Sequence, residues 1–330
     1  MNGFYIALWI VLGALGLLLV ASFVCFIMVF YSKKRKPLGE DEYDIPPGRA
    51  YEAHREQIIA WTKEMRTLPH EKIKIKSYDG LTLCAKYYEY KKGAPTEILF
   101  HGYRGNSERD LCGGVNRCFS IGRNALIVDQ RAAGESDGHI ITFGIREHRD
   151  ALSWVKYANE RFGIQTTLIL TGISMGAATV LMASAEPLPE NVKCILADCS
   201  YSSTKEIIKE VLRKMKLPTG IFYPLIRLGA LIFGGFDIEK NSPIKAMEKS
   251  KIPTIFIHGD KDKFVPCYMS EQLYEACRSD KKKFVKVAGA AHGLAFPVAR
   301  EEYLEALREF SLECGMQENL SILNLNLGGN

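Results

Sequence analysis

The chain has 330 residues, 47% apolar and 25% charged, with nine cysteines and a formal net charge of +5. Both fractions sit near globular averages, which excludes a disordered, collagen-like or disulfide-dense secreted chain. The length admits one large α/β domain or two ordinary ones.

Residues 1–32 contain no Asp, Glu, Lys or Arg and run through Ile6, Leu8, Trp9, Leu12, Leu17, Leu18, Leu19, Val20, Phe23, Phe26, Ile27 and Phe30. A helix needs about 20 apolar residues to cross a bilayer core, whereas the apolar region of a signal peptide runs about 7–15 residues behind a basic start. No basic start precedes this stretch, so it predicts one transmembrane anchor. Lys33, Lys34, Arg35 and Lys36 follow at once. Basic flanks stay cytoplasmic, which predicts a single-pass chain with its N-terminus outside and its main domain in the cytoplasm. The cluster reads as attraction to anionic lipid headgroups and gives no case for nucleic-acid binding. Cys25, Cys84, Cys112, Cys118, Cys194, Cys199, Cys267, Cys277 and Cys314 form no CxxC or Cys/His metal spacing. An odd count cannot pair fully within one chain, so reduced thiols are expected, in keeping with a cytoplasmic domain.

Beyond the anchor (1–36), residues 37–49 are rich in Pro, Gly and acidic residues and read as a linker. Residues 50–66, with Ile58, Ile59, Trp61 and Met65, predict one amphipathic helix that ends before Pro69. Ile73 and Ile75 alternate with lysines, Asp79-Gly80 makes a hairpin turn, and Leu81, Leu83, Ala85 and Tyr87 alternate again, giving two antiparallel strands. Short apolar runs at 97–100, 125–128, 167–170, 194–197, 254–257 and 284–287 then alternate with helical segments, which implies a mostly parallel, doubly wound sheet. Residues 203–235 interrupt the alternation with two helices. One carries Ile207, Ile208, Val211, Leu212 and Met215; the other, at 221–233, has Arg227 as its only charge. They predict a cap inserted over the sheet at about 203–245, within a domain spanning 50–314. The polar tail, 315–330, is expected to be loosely ordered.

Gly172-Ile173-Ser174-Met175-Gly176 follows the strand at 167–170 and precedes a small-residue helix at 177–185. That is the context of a nucleophile elbow, in which the serine sits on a strained turn and glycines let strand and helix approach without a β-carbon clash. GxSxG is weak alone; the flanking strand and helix give it weight. His258-Gly259-Asp260-Lys261-Asp262 follows the strand at 254–257. Parallel strands place their C-terminal loops at one sheet edge, so a carboxylate here lies near the serine. Asp262 is chosen over Asp260, which stands nearer the strand end and suits a turn cap. Ala290-Ala291-His292-Gly293 follows the last strand at the same edge, where small neighbours let an imidazole reach a cleft. Finally, Phe100-His101-Gly102-Tyr103-Arg104-Gly105 closes the strand at 97–100. Acyl transfer needs N–H groups aimed at the developing oxyanion, each contributing about 2.7–4 kcal/mol. These are assigned to the main chain of Tyr103 and Met175, with His101 as a brace for the loop.

In this order the motifs resemble the α/β-hydrolase superfamily, in particular the branch of serine aminopeptidase-like and monoacylglycerol-lipase-like hydrolases, over roughly 73–313. The family segment after the second parallel strand usually reads Asp-x-Arg-Gly-x-Gly-x-Ser. Here Asp129-Gln130-Arg131-Ala132-Ala133-Gly134-Glu135-Ser136 carries Ala132 where glycine is usual, which should alter a loop without touching the triad. The resemblance implies an α/β-hydrolase fold with the triad Ser174, His292 and Asp262, in the chain order Ser, Asp, His. It implies two-step acyl transfer that requires no metal and no organic cofactor.

The apolar helix at 221–233, together with the anchor, points to an ester or acyl substrate drawn from the bilayer, with the cap lining an acyl pocket. The same triad cleaves amides, so a serine peptidase is the alternative, and a catalytically silent membrane-tethered binding module is a third class. Membrane lipid is the expected partner of the anchor; the residues are silent on oligomeric state.

Overall fold

The computed structural model describes residues 2–33 and 38–316. Lys34, Arg35 and Lys36 of the basic cluster, and positions 317–330 of the tail, lie outside the described residues. The chain opens with α1 (Asn2–Phe30), α2 (Arg49–Glu52) and α3 (Arg55–Thr67). The hairpin β1 (Glu71–Lys76) and β2 (Thr82–Tyr88) leads into β3 (Thr96–Phe100), α4 (Ser107–Ser120), β4 (Asn124–Asp129) and α5 (Glu147–Phe162). Next come β5 (Leu168–Ile173), α6 (Met175–Ala183) and β6 (Val192–Asp198). Between β6 and β7 (Thr254–Gly259) lie α7 (Thr204–Lys214), α8 (Thr219–Gly229) with a π-helical turn (Ala230–Gly234), and α9 (Pro243–Met247). The chain continues through α10 (Tyr268–Ala276), β8 (Lys282–Val287), α11 (Ala295–Val298) and α12 (Arg300–Glu313).

The eight strands form one sheet in the order β1-β2-β4-β3-β5-β6-β7-β8. The β1-β2 and β2-β4 pairs are antiparallel, and every later pair is parallel. Each central strand has apolar side chains on both faces, as a sheet covered on both sides requires. Along β3, Ile98 and Phe100 face a core with Ala151 and Trp154 of α5, whereas Leu99 faces a core with Trp61 of α3, Leu111 of α4 and Phe310 of α12. A third core joins α1 to the cap through Phe26, Phe30, Ile226 and Phe236.

The single helix expected at 50–66 is instead two, α2 and α3, separated by Ala53 and His54. No Pro or Gly stands there; on α2 the Tyr51 hydroxyl donates to the main-chain carbonyl of His292, 2.6 Å away. All nine cysteines carry free thiols.

Candidate active site

Between β5 and α6, Ser174 adopts φ 56° and ψ −115°, a left-handed conformation that side chains other than glycine's rarely take. The strain is held by close contact: a β-carbon on Gly176 would stand 2.0 Å from the carbonyl oxygen of Phe100. The turn therefore needs glycine there. Ser174 is only 6% exposed, and its Oγ lies 3.0 Å from Nε2 of His292.

His292 comes from the loop after β8, and its Nδ1 lies 2.6 Å from Oδ2 of Asp262, on the loop after β7. Oδ1 of Asp262 accepts from the amides of Phe264 and Val265, each at 2.8 Å, and Oδ2 also faces Nε2 of His258 at 3.1 Å. Burial works against the charge on Asp262, yet the hydrogen bonds from His258 and His292 hold its carboxyl well below the usual carboxylate range. An ionised Asp262 fixes the Nδ1–H tautomer of His292, which leaves Nε2 free to take a hydroxyl proton. Asp260 is turned to the neighbouring loop instead, accepting from the Gly289 amide after β8 at 2.7 Å.

The loop after β3 abuts the serine, since a β-carbon on Gly102 would lie 3.5 Å from that of Ser174. Asp110 holds this loop by accepting from the Gly102 amide at 2.9 Å. His101 braces it from below. The Gln130 amide donates to His101 Nε2 at 3.0 Å, so Nδ1 carries the proton and donates to the Gly102 carbonyl at 2.8 Å. Among the described residues, the amides of Tyr103 and Met175 donate to no protein group. Ala132, in the usual glycine position, takes φ 63° and is buried in the core that also holds Met175.

A cavity of about 460 Å³ opens at Ser174 and His292 and is walled by Ile58, Trp61, Leu99, Leu111, Leu294 and Phe296. No cap residue lines it, which corrects the expectation of an acyl pocket under the helix at 221–233. The apolar residues of α8 are spent elsewhere, with Ile226 in the core shared with α1 and Ile221 exposed.

Sequence reasoning missed three contributors. His258 is fully buried and bridges Asp262 to Ser270 Oγ at 2.7 Å; its place at the strand end, four residues before Asp262, was the available signal. Tyr51 anchors the His292 main chain, and burial pushes its phenol up, so it stays a donor. Asp110 was also missed, and nothing local marks it. Among the described residues, one group of His, Cys and acidic side chains brings ligand atoms within 4.8 Å: Cys199, Asp262 and His292. Burial pushes the Cys199 thiol far up, against the thiolate that metals prefer, and the other two already bond each other.

The family model for the alpha/beta hydrolase fold matches residues 98–223, and that for serine hydrolase (FSH1) matches residues 170–294. An uncharacterized Bacillus subtilis protein, YqkD, is 27% identical over 65% of this chain and 70% of its own length. The uncharacterized membrane protein YNL320W of Saccharomyces cerevisiae is 22% identical over 77% of this chain and 84% of its own. In fold, the chain is similar to the Pyrococcus furiosus esterase PF2001, with a TM-score of 0.64 at 18% identity, covering 86% of this chain and 98% of that one. With its mostly parallel eight-stranded sheet and two family matches that both take in the serine turn, the chain has the α/β-hydrolase fold and is a serine hydrolase.

Proposed function

We propose that this chain is a membrane-anchored esterase acting on carboxylic esters with apolar acyl groups, through an acyl-enzyme on Ser174. The observation that carries this reading is the 3.0 Å and 2.6 Å relay from Ser174 through His292 to Asp262, set at the mouth of an apolar cavity. Ser174 Oγ attacks the ester carbonyl as its proton passes to His292 Nε2, and Asp262 stabilises the imidazolium. The amides of Tyr103 and Met175 hold the oxyanion. The acyl–oxygen bond to the alcohol breaks, and the departing oxygen takes the proton from His292. Water then attacks the acyl-enzyme, gives a proton to His292, and the serine is restored.

α1 provides 28 apolar residues, Gly3–Phe30, about 42 Å of helix at 1.5 Å per residue. A hydrocarbon core is about 30 Å thick. The last two turns of α1 thus stand clear of the core, at the level where they meet the cap, and exposed Leu231, Ile232 and Phe233 lie in the membrane interface. The basic cluster at 33–36 and the free thiols favour a cytoplasmic domain. We take 1–36 as anchor, 37–49 as linker and 50–314 as the hydrolase domain, with its cap at 203–245.

A panel of p-nitrophenyl esters of increasing chain length, set beside amino-acyl anilides, tests the substrate class. Preference for medium or long chains supports the reading. An acetate-only profile, or anilide cleavage with no ester turnover, contradicts it.

A further inference from the structure

A helix leaves its last four carbonyls without intrahelical partners. In α1 these belong to Ile27, Met28, Val29 and Phe30. The Tyr31 amide closes on Ile27 at 3.2 Å, and the Ile141 amide donates to Phe30 at 2.8 Å. The other two are taken by side chains of consecutive residues on the loop beside Ser174. Tyr103 Oη donates to the Val29 carbonyl at 2.6 Å, and Arg104 Nη2 donates to that of Met28 at 2.8 Å. Arg104 Nη2 also reaches the Tyr31 carbonyl at 3.0 Å.

The same joint is packed as well as bonded. The Tyr103 ring stacks on Phe143 at 4.9 Å, and Phe143 meets the fully buried Phe30 edge-on at 5.8 Å. Phe30 in turn meets Phe236 of the cap at 5.2 Å. α1 approaches α8 so closely that a β-carbon on Gly229 would stand 2.4 Å from the Ser22 carbonyl oxygen. Arg104 holds φ 53°, a conformation that persists in a non-glycine residue when its surroundings impose it. The anchor is therefore no loose tether.

We propose that the C-terminal end of the membrane helix positions the oxyanion loop, acting through the Tyr103 hydroxyl and the Arg104 guanidinium. This rests on the reading of the Tyr103 amide as an oxyanion donor. The side chain of Tyr103 is bolted to α1 while its amide faces the reacting carbonyl, so a shift at the helix end moves the donor. An oxyanion donor acts in the transition state and little in the ground state, so loosening it lowers kcat and leaves KM alone.

The test uses the full chain in lipid vesicles, with every rate of a chain that keeps Ser174 expressed per site titrated by a fluorophosphonate and that of Ser174→Ala per mole of folded protein. Tyr103→Phe removes only the hydroxyl and Arg104→Met only the guanidinium. Each is expected to lower kcat about tenfold, a fraction of the roughly 10²–10³ lost when a donor is removed outright. KM should hold, and the affinity for a trifluoromethyl ketone of the same acyl chain should fall by the same factor as kcat/KM. Phe30→Ala should lower kcat similarly, and the Tyr103→Phe, Phe30→Ala double variant should lose less than the product of the two, because both act at one joint. Unchanged kcat and ketone affinity in Tyr103→Phe and Arg104→Met, with Ser174→Ala inactive, would overturn the proposal and spare the esterase reading. A Ser174→Ala variant as active as the wild type would overturn that reading itself.

Discussion

Asp262 and His258 share a bond hidden from solvent: Oδ2 of the carboxylate lies 3.1 Å from Nε2 of the histidine, and the same oxygen receives Nδ1 of His292 at 2.6 Å. One oxygen thus serves two imidazoles. His258→Leu should leave Asp262 with one donor fewer and less tightly oriented. Expected are a loss of about 1–3 kcal/mol in stability and a fall in kcat well short of the roughly 10⁴ for Asp262→Asn. Thermal melts and steady-state rates of the two variants check this. Equal loss in both would mean that His258 does more than orient.

Tyr51→Phe removes the hydroxyl that holds the His292 carbonyl. A single neutral hydrogen bond contributes about 0.5–1.5 kcal/mol, so the melting point should drop slightly. The larger effect should be on kcat, since the imidazole is carried by that main chain. A crystal structure or NMR spectrum showing the His292 loop unmoved, with kcat intact, would count against the role.

Ile58→Trp narrows the cavity beside Ser174, whereas Ile221→Ser alters the exposed surface of the cap. With soluble p-nitrophenyl esters, the first should cut kcat/KM for octanoate at least tenfold relative to acetate, the scale of about 1.4 kcal/mol in a transition state. The second should leave the chain-length profile as it was. The reverse pattern would return the acyl pocket to the cap.

Glu97 is buried between Arg117 and Arg123 and also accepts from the Thr171 hydroxyl at 2.6 Å. Burial opposes its charge, but the two guanidiniums hold its carboxyl down at about 2. A depressed carboxylate contributes stability that is present above its unfolded value of about 4.3 and is lost as pH falls through the folded value. Glu97→Gln leaves two cations uncompensated and should cost about 3–5 kcal/mol at neutral pH. Melting curves across the acid range should show the deficit shrinking from about pH 4.3 downwards. A deficit independent of pH would contradict the ion-pair account.

On the proposed anchoring, an environment-sensitive dye on a cysteine placed at the exposed Ile232 should shift to the blue in vesicles, because the next residue, Phe233, packs on Phe23 of α1. The same dye at Lys156, on the exposed face of α5, serves as the aqueous reference. Equal spectra at both would lift the cap away from the bilayer.

The strands were legible because β1 and β2 alternate and the later ones are short runs rich in apolar residues between turn signals, and period and punctuation are local properties. The meeting of Ser174, Asp262 and His292 was legible because a parallel sheet delivers its loops to one edge. Asp262 is preferred to Asp260 by distance from the strand end; Oδ2 of Asp262 does face His292, while Asp260 ties its loop to the next through the Gly289 amide rather than capping its own turn. Tyr51 and His292 stand 241 residues apart, and no periodicity encodes such a contact. The break between α2 and α3, at Ala53 and His54, carries no Pro or Gly signal and was equally hidden. The cavity was misplaced because apolar content marks burial, and residues of α8 such as Ile226 are buried against α1 rather than around a ligand.

Incubating the full chain with a fluorophosphonate and mapping the adduct by mass spectrometry tests the central claim most directly. The account predicts one modification, on Ser174, abolished in Ser174→Ala and much slowed in His292→Ala. A folded protein that takes no label, or that carries it on another serine, would contradict it.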